Sequence, residues 1–472
     1  MYLDDLKAGT NTTRTENDAL TKKSTLNPLV DFFALAGATR GNEELGLDLF
    51  KKAFAFDRLG AVRVLFYLRD VRGGQGERQL FRNCLRDISE HTPEVVEKIV
   101  VHIAEYGRWD DLLALDTKYT IKVLAEQLAE DKKTDTPSLL AKWLPSENAS
   151  SKSSMFKARA LAKELKMSQI EYRRLLVSLR KRIGLIEHKL SKREFGSIEY
   201  DKIPSQAHLK YKKSFFRNDE DRYTKYLESL KKGETKVNTA TLYPYQVYDR
   251  AGEVGSDELW KNLPDYTQGK NAIVVADVSG SMEGRPMSVS VSLAIYFAER
   301  NKGQFKDHFI TFSAEPQLQA IHGKTLREKI SSVEQSDWNM NTDVQAVFDL
   351  LLNTAVQNNT PVKEMPSTIY IISDMEFDSA TSRSIWDRNP KEETNFEAID
   401  KNYREAGYER PNLVFWNVDA RNKQVPALAD DRNVTLVSGY SPSAFALAVE
   451  NKTPEQLVKE VIESERYRAI VI

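Results

Sequence analysis

The chain has 472 residues and a formal net charge of −1, with 41% hydrophobic and 29% charged residues. This length exceeds what one ordinary core organises, so we expect two domains of roughly 200 residues each. The single cysteine, Cys84, excludes an intrachain disulfide framework and a cysteine-ligated metal site, and its neighbours Phe81 and Leu85 favour a buried, inert thiol.

The N-terminal half is predicted to be an arm followed by helices. Residues 1–25 are polar and threonine-rich, which predicts a flexible, extended arm without the apolar core of a secretory signal. From residue 26, apolar residues recur at the three- and four-residue spacing of amphipathic helices. The predicted helices are 27–40, 43–56, 58–72, 78–89, 93–106, 109–115 and 121–132. Short successive helices of this kind indicate a HEAT-like helical-repeat domain, an α-solenoid, over residues 26–246.

A glycine-rich stretch, RGGQGER at residues 72–78, interrupts the helices. It lacks the glycine and lysine spacing of a phosphate-binding loop, and the segment before it has a helical rather than a strand pattern. A tight turn between helices, flanked by Arg69, Arg72 and Arg78, is the better interpretation.

A strongly basic segment lies between residues 152 and 236. It contains 23 Lys and Arg against 11 Asp and Glu, an excess of +12, so the remainder of the chain sums to −13. A solvated helical surface is one explanation. The other explanation is a surface that binds nucleic acid, and RNA in particular, because aromatic residues such as Tyr172 and Phe215 are interleaved with the basic residues. The candidate RNA-binding residues are Arg173, Arg174, Arg180, Lys181, Arg182, Lys210, Lys212, Lys213 and Arg217.

The C-terminal part alternates strands with helices. Residues 247–268 are predicted to be a polar connector into a sheet domain that covers residues 269–472. Strands are predicted at 273–276, 308–312, 369–373, 413–418 and 434–437, with helices at 286–300, 326–333, 344–354, 396–405 and 455–465 and a helix start at 441–443. This order predicts a doubly wound, Rossmann-like parallel sheet, and the whole chain is therefore an α plus α/β multidomain protein.

Oxygen-bearing side chains follow the first strand of this domain. Asp277, Ser279 and Ser281 alternate directly after the strand, where open α/β sheets bind ligands. Asp374 follows the strand at 369–373, and Thr342 lies in a polar loop before a helix. Such oxygens suit a small hard cation, with Mg²⁺ foremost and Mn²⁺ or Ca²⁺ as alternatives. A serine-rich turn with a helix-capping aspartate is the simpler alternative.

These five positions resemble the metal-ion-dependent adhesion site of von Willebrand factor A domains, although Met375 and Asn341 stand where many such domains carry glycine. Along most of the chain, motifs such as YLRDVRGGQGER, YGRWDDLL, DVSGSM and IISDMEF resemble the DUF2828 family. That family is similar to the Ro autoantigen proteins, which join a TROVE-type ring of helical repeats to a von Willebrand A domain. The resemblance implies RNA binding on the helical ring and a divalent cation at Asp277, Ser279, Ser281, Thr342 and Asp374.

Two functional hypotheses follow. The first is a Ro-like RNA-binding protein that grips single-stranded or misfolded noncoding RNA, with the A domain serving structure or partner recruitment. The alternative is a protein-interaction module in which the cation accepts an acidic residue of a partner, with no role for RNA. An enzyme is not expected, because no positioned base or second metal is evident beside the oxygens. No apolar run reaches the roughly 18 residues of a membrane span, so we expect a cytoplasmic protein. The sequence leaves the oligomeric state open, with a monomer favoured.

Overall fold

The computed structural model describes residues 11–472 except 236, 238, 240, 268–270, 313–315, 336–342, 379–394 and 448–451. The chain divides into two compact units. The sheet unit comprises residues 1–68, 73–75 and 242–468, and the helical unit comprises residues 69–72, 76–241 and 469–472. This division differs from the predicted one, because the helices between residues 28 and 68 belong to the sheet unit.

Helices dominate the first half of the chain. They are α1 Pro28–Leu35, α2 Glu43–Phe56, α3 Arg58–Arg69, α4 Gln79–His91, α5 Pro93–Ile99, α6 Ile103–Tyr106, α7 Trp109–Leu112, α8 Lys118–Lys133, α9 Leu140–Trp143, α10 Lys152–Glu164, α11 Gln169–Ile183, α12 Ile186–Ser191 and α13 Ser205–Lys232. Local signals explain several ends. Ser168 and Glu171 form a capping box at the start of α11, and Gly184 ends it in the left-handed conformation.

Two short strands, β1 Thr12–Arg14 and β2 Leu20–Lys22, form an antiparallel pair. The remaining elements are α14 Pro244–Tyr248, α15 Ser256–Lys261, β3 Ala272–Ala276, α16 Arg285–Arg300, β4 His308–Thr311, β5 Leu318–Ala320, α17 Leu326–Glu334, α18 Val344–Asn358, β6 Thr368–Ser373, α19 Asn395–Glu405, β7 Asn412–Asn417, β8 Val434–Ser438, α20 Pro454–Glu463 and α21 Glu465–Arg468. At residues 442–447, where a helix start was predicted, the chain forms a 3-10 turn.

In the described part of the chain, six strands form one sheet in the order β5-β4-β3-β6-β7-β8. All neighbours are parallel except β5, which pairs antiparallel with β4 at the edge. The connections run outward from β3 in one direction and from β6 in the other. The prediction of a helical part followed by a doubly wound sheet is confirmed, and β5 is the strand that the sequence pattern missed.

The central strands are buried on both faces, which explains their continuous apolar sequences. On one face, Ile273, Ile371 and Phe415 join the core formed with α18 and α19. On the other, Tyr370 lies against Phe297 of α16 and Phe445, with ring centroids 4.9 and 5.0 Å apart. Rigid strands packed on both sides hold the loops at their carboxyl ends in fixed positions.

Residues 11–25 differ from the predicted flexible arm. Beyond the β1–β2 pairing, the Thr15 hydroxyl donates to the Phe377 carbonyl at 2.6 Å, and Ala19 is 2% exposed in the sheet core. Small threonine and alanine side chains let this segment pack closely, and the hydroxyls of Thr15 and Thr21 donate to backbone carbonyls. Such contacts are not revealed by periodicity.

The predicted connector at residues 247–268 also differs, because it contains α15 and the end of α14. Trp260 of α15 is 3% exposed and donates its indole N–H to Glu299 of α16 at 2.7 Å. The buried Trp260 ring and its indole hydrogen bond explain why this acidic segment packs within the sheet unit. None of the helices in the described residues combines the length and apolar character needed to cross a membrane.

Candidate functional site

The candidate site lies where the direction of chain connection reverses in the sheet. Strands β3 and β6 are parallel neighbours, with Ala276 paired to Ile372, so the residues that follow each strand emerge side by side. The Asp277 N–H donates to the Ile372 carbonyl at 3.0 Å and continues this pairing. A switch point of this kind leaves a crevice at the carboxyl ends of the strands, which is where such sheets bind ligands.

Asp277 is completely buried and held by two hydrogen bonds. Its Oδ1 accepts from the Ser279 N–H at 2.8 Å, and its Oδ2 accepts from the Ser373 hydroxyl at 2.6 Å. Burial, together with the nearby negative charge of Asp374, raises the pKa of Asp277 to about 6. The site therefore holds two neighbouring carboxylates that are buried, an arrangement that a cation would stabilise.

The two predicted hydroxyls lie together beside this carboxylate. The hydroxyl oxygens of Ser279 and Ser281 are 2.9 Å apart, and both side chains are half-buried. Ser281 lies on the 3-10 turn that follows β3, and Ser279 directly precedes that turn. The structure thus brings together Asp277, Ser279, Ser281 and Asp374 from two loops. Thr342, the fifth predicted ligand, lies outside the described residues.

Asp374 carries the clearest sign of an incomplete site. Its side chain is 0% exposed, and its Oδ1 accepts from the Glu376 N–H at 3.1 Å. Its Oδ2 is buried and accepts no hydrogen bond from the residues that the structure describes. A buried carboxylate oxygen without a donor is costly, so this atom points to a ligand.

The backbone after Asp374 retains the conformation expected of a glycine. Met375 has a φ of +68° and is 4% exposed, and its N–H donates to the Ser373 hydroxyl at 3.0 Å. A left-handed conformation costs a side-chain-bearing residue on the order of 1–2 kcal/mol. The hydrogen bond to Ser373, which in turn holds Asp277, helps to maintain this turn in spite of the methionine.

Arg421, which sequence reasoning missed, reaches the same crevice from the loop after β7. Its Nη2 lies 3.6 Å from Asp374 Oδ2 and donates to the carbonyl oxygen of Ser281. Its other nitrogens lie 3.4 Å from Asp419 and 3.5 Å from Glu16. Nothing in the local sequence signals this contact, because it depends on how the β7–β8 loop folds over the sheet edge.

The donor set fits a small hard cation. Within the described chain no three His, Cys, Asp or Glu side chains cluster as a metal site. The candidate therefore rests on two carboxylates, two hydroxyls and the Asp374 oxygen that accepts no hydrogen bond from the described residues. Oxygen ligands of this type, few enough to leave water on the ion, are those that Mg²⁺ prefers.

The predicted RNA-binding residues fall into two groups. Six have exposed side chains: Arg173, Arg174, Lys181, Lys210, Lys213 and Arg217. Arg180 instead donates to the carbonyls of Ala141 and Leu144, both at 2.8 Å, and Arg182 donates to the Thr134 carbonyl. Lys212 is buried, at 6% exposure. These last three are therefore structural side chains of the helical unit.

The interleaved aromatic residues lie mostly in the core. Tyr172 and Phe215 are 1% and 0% exposed, and the Tyr172 hydroxyl donates to the Pro145 carbonyl at 3.2 Å. Neither ring can stack on a base in this conformation. The idea that these two aromatics contact nucleic acid is therefore wrong, because their helices turn them inward.

An exposed ring lies elsewhere in the basic segment. Phe156 on α10 is 70% exposed, and Lys152, Arg159 and Lys163 are exposed on the same face of that helix. Their spacing of four, three and four residues places all four side chains in one stripe. The signal was present in the sequence as a phenylalanine at a position where the helix pattern required a polar residue.

The two motifs in the first half of the chain form one buried ionic cluster. Asp111 of YGRWDDLL accepts from Arg69 Nε and Arg82 Nε at 2.8 Å each, and from the Arg108 N–H at 2.9 Å. Asp111 and Arg69 are 0% and 1% exposed. These residues organise the helical unit, so the glycine-rich turn after Arg69 has a structural explanation.

Two family models match the chain, and both are described as domains of unknown function. DUF2828 matches residues 15–116 and 114–279, more than half of the chain, and DUF7788 matches residues 271–469. The uncharacterized protein L728 of Acanthamoeba polyphaga mimivirus is 29% identical over 505 aligned residues, covering 95% of this chain and 87% of that protein. The solved structure of the Ro (RSR) protein of Deinococcus radiodurans aligns with 94% of this chain and 100% of its own, at 13% identity and a TM-score of 0.40.

Proposed function

This chain belongs to the DUF2828 family, as its sequence motifs predict, and we propose that it is an RNA-binding protein that also binds a divalent cation. The helical unit contacts single-stranded RNA, and the cation at the sheet edge serves structure or recruits an acidic partner. The observation that carries the RNA proposal is the stripe on α10, where an exposed ring lies among three exposed cations.

Charge and exposure support RNA as the ligand. Lysines and arginines neutralise phosphates, and an exposed aromatic ring stacks on an unpaired base without preference for sequence. Phe156 is 70% exposed beside three exposed cations, and an unpaired base is an occupant that would contact both the ring and the cations. The proposed function is binding and involves no transfer of a chemical group.

The salt dependence of affinity tests this proposal. If the six exposed residues of the predicted set each neutralise one phosphate, the slope of log K against log salt is about −4 for a single strand. Affinity should then fall by roughly 300-fold between about 50 and 200 mM salt. Fluorescence anisotropy of a labelled single-stranded RNA, with duplex RNA and single-stranded DNA as competitors, measures this slope.

Charge reversal separates a binding surface from general attraction. Arg173→Glu with Arg174→Glu should reduce the steepness of the salt slope by about 1.4 and weaken binding at all salt concentrations. Lys98→Glu with Lys122→Glu is the matched control, because these two lysines are also exposed on helices of the same unit. Negligible binding of every nucleic acid by the unaltered protein would reject the RNA proposal.

A second candidate function is cation-dependent binding of a protein partner. It is favoured by the buried Asp374 oxygen that lacks a donor and by the adjacent Asp277 and serine hydroxyls. A divalent ion bound there would offer an open coordination position to an acidic side chain of the partner. Asp277, Ser279, Ser281 and Asp374 are the described residues that would hold it, with Thr342 proposed from sequence alone.

Removal of the cation distinguishes this second function from the first. Chelation and Asp277→Ala should abolish partner binding and leave the affinity for RNA unchanged, because the basic residues lie in the other unit. Mn²⁺ titration followed by electron paramagnetic resonance reports the cation directly. Failure of the protein to bind Mn²⁺ or Mg²⁺ at millimolar concentration would reject the cation site.

A further inference from the structure

We propose that Arg421 is a tethered cation that competes with the divalent ion at the sheet edge. This inference rests on the proposed cation site. It adds that the affinity of the site for metal is set by the displacement of one arginine, and that metal binding is therefore coupled to the position of the β7–β8 loop.

The first support is where the guanidinium lies. Its Nη2 contacts Asp374 Oδ2 at 3.6 Å and donates to the backbone carbonyl of Ser281. It thereby joins the loop after β3 to the loop after β6, which are the same two loops that a coordinated cation would join. Arg421 is thus a positive group that faces the buried carboxylates.

The second support is charge. Asp277 and Asp374 have completely buried side chains, and among the described contacts Arg421 supplies one positive charge to this pair. A divalent ion coordinated at the same oxygens would lie within a few ångströms of the guanidinium, and two cations at that distance repel strongly in a site shielded from water. Arg421 and the metal therefore exclude one another.

The third support is that the displaced side chain has a place to go. Arg421 also lines an open cleft of about 660 Å³, together with Asn42, Glu44, Leu45, Asp48, Asn422 and Lys423. Glu44 in this cleft offers a carboxylate to the displaced guanidinium, whereas Asp48 already pairs with Lys52 and Lys423. Release of Arg421 from Ser281 also frees the loop that carries the two serine hydroxyls.

The partial exposure of Arg421 makes the exchange feasible. Its side chain is 33% exposed, whereas the Asp374 side chain is 0% exposed. The contacts with Asp419 and Glu16 at 3.4 and 3.5 Å are long, so the hydrogen bond to the Ser281 carbonyl is the main contact that holds the guanidinium at the rim. A side chain at the rim can leave without unfolding the strands beneath it.

Mn²⁺ titration of the full chain, followed by electron paramagnetic resonance, tests the competition. Arg421→Ala is expected to bind Mn²⁺ at least about tenfold more tightly than the unaltered protein, because the competing charge is gone. Arg421→Lys keeps the positive charge, so it should bind Mn²⁺ more weakly than Arg421→Ala does. Arg404→Ala is the matched control, since Arg404 is a 78% exposed arginine of the same unit that pairs with Asp400.

A thermal readout accompanies the titration. In chelator, Arg421→Ala should unfold at a lower temperature than the unaltered protein, because the two buried carboxylates then lack a counter-charge. Mn²⁺ should raise its unfolding temperature more than it raises that of the unaltered protein. A variant that only loosened the loop would lower the unfolding temperature without tightening metal binding.

The outcomes separate the inference from the site on which it rests. Tighter binding by Arg421→Ala, with Asp374→Asn binding nothing, supports both. Equal or weaker binding by Arg421→Ala, with the unaltered protein still binding through Asp374, overturns the inference and leaves the cation site intact. Absence of binding by every variant rejects the cation site and the inference together.

Discussion

Removal of the Asp111 carboxylate should destabilise the helical unit more than any surface change. Asp111 is 0% exposed and receives donors from Arg69, Arg82 and the backbone of Arg108. Asp111→Ala would leave the Arg69 guanidinium, itself 1% exposed, buried without its partner. Breaking a buried pair in this way typically costs about 3–5 kcal/mol, whereas a partly exposed pair costs about 1 kcal/mol or less.

Asp110 provides the comparison, because it pairs with Arg82 and Arg108 on the same turn but its side chain is 16% exposed. Burial acts to raise its pKa, but hydrogen bonds from Arg108 and Arg82 hold the pKa below its usual value. Hydrogen exchange measured by mass spectrometry on peptides from α4 and α7 isolates the helical unit. Asp111→Ala should lower protection there by at least about two orders of magnitude, and Asp110→Ala by about tenfold or less. Equal effects of the two variants would refute the reasoning.

Three further predictions concern other parts of the molecule. Burial among Tyr200, Tyr223 and Tyr226 lowers the pKa of His208 to about 4 in the folded protein. As the pH falls below 6.5, this histidine is therefore protonated in the unfolded chain before it is protonated in the folded protein, which favours unfolding. The helical unit should lose about 3 kcal/mol between pH 6.5 and pH 4, seen as a pH-dependent denaturation midpoint. His208→Gln should flatten that dependence, and an unchanged slope would contradict the assignment. Gly107→Ala should destabilise the helical unit by about 1–3 kcal/mol, because the new methyl group would overlap Asp111 and lie 2.9 Å from Arg69 Nε. Protection of the helical unit from hydrogen exchange that equals that of the unaltered protein would contradict this prediction. Asp277→Asn should raise the unfolding temperature in chelator, because it removes one of two adjacent buried charges. The same variant should abolish stabilisation by Mn²⁺, and a lower unfolding temperature in chelator would contradict this prediction.

The elements that could be predicted are those with local signals. The continuous apolar runs of β3, β6 and β7 are typical of strands buried on both faces, and the oxygens after β3 and β6 follow from the topology once those strands are parallel neighbours. Asp277 and Asp374 could therefore be paired from sequence although 97 positions separate them. The loop that carries Thr342 lies outside the described residues, and its part in the site stays a prediction.

What escaped prediction depends on tertiary contacts. Arg180 and Lys181 are adjacent in the sequence, yet one binds backbone carbonyls and the other is exposed, because a helix turns consecutive side chains about 100° apart. Charge counts do not distinguish such neighbours, whereas helical position does. Arg421 and the packed segment at residues 11–25 were missed because their partners are distant in the sequence. Arg421 contacts Ser281 at a separation of 140 residues, and Thr15 contacts Phe377 at a separation of 362 residues.

Crosslinking of the protein to RNA tests the central claim most directly. A single-stranded RNA that carries 4-thiouridine is bound at low salt and irradiated, and the crosslinked peptides are identified by mass spectrometry. We predict crosslinks on peptides from α10 and α11, with Phe156 among the modified residues, and their loss in Phe156→Ala or in competition with unlabelled RNA. Crosslinks confined to peptides outside residues 152–236, or none at a concentration that saturates binding, would contradict the account.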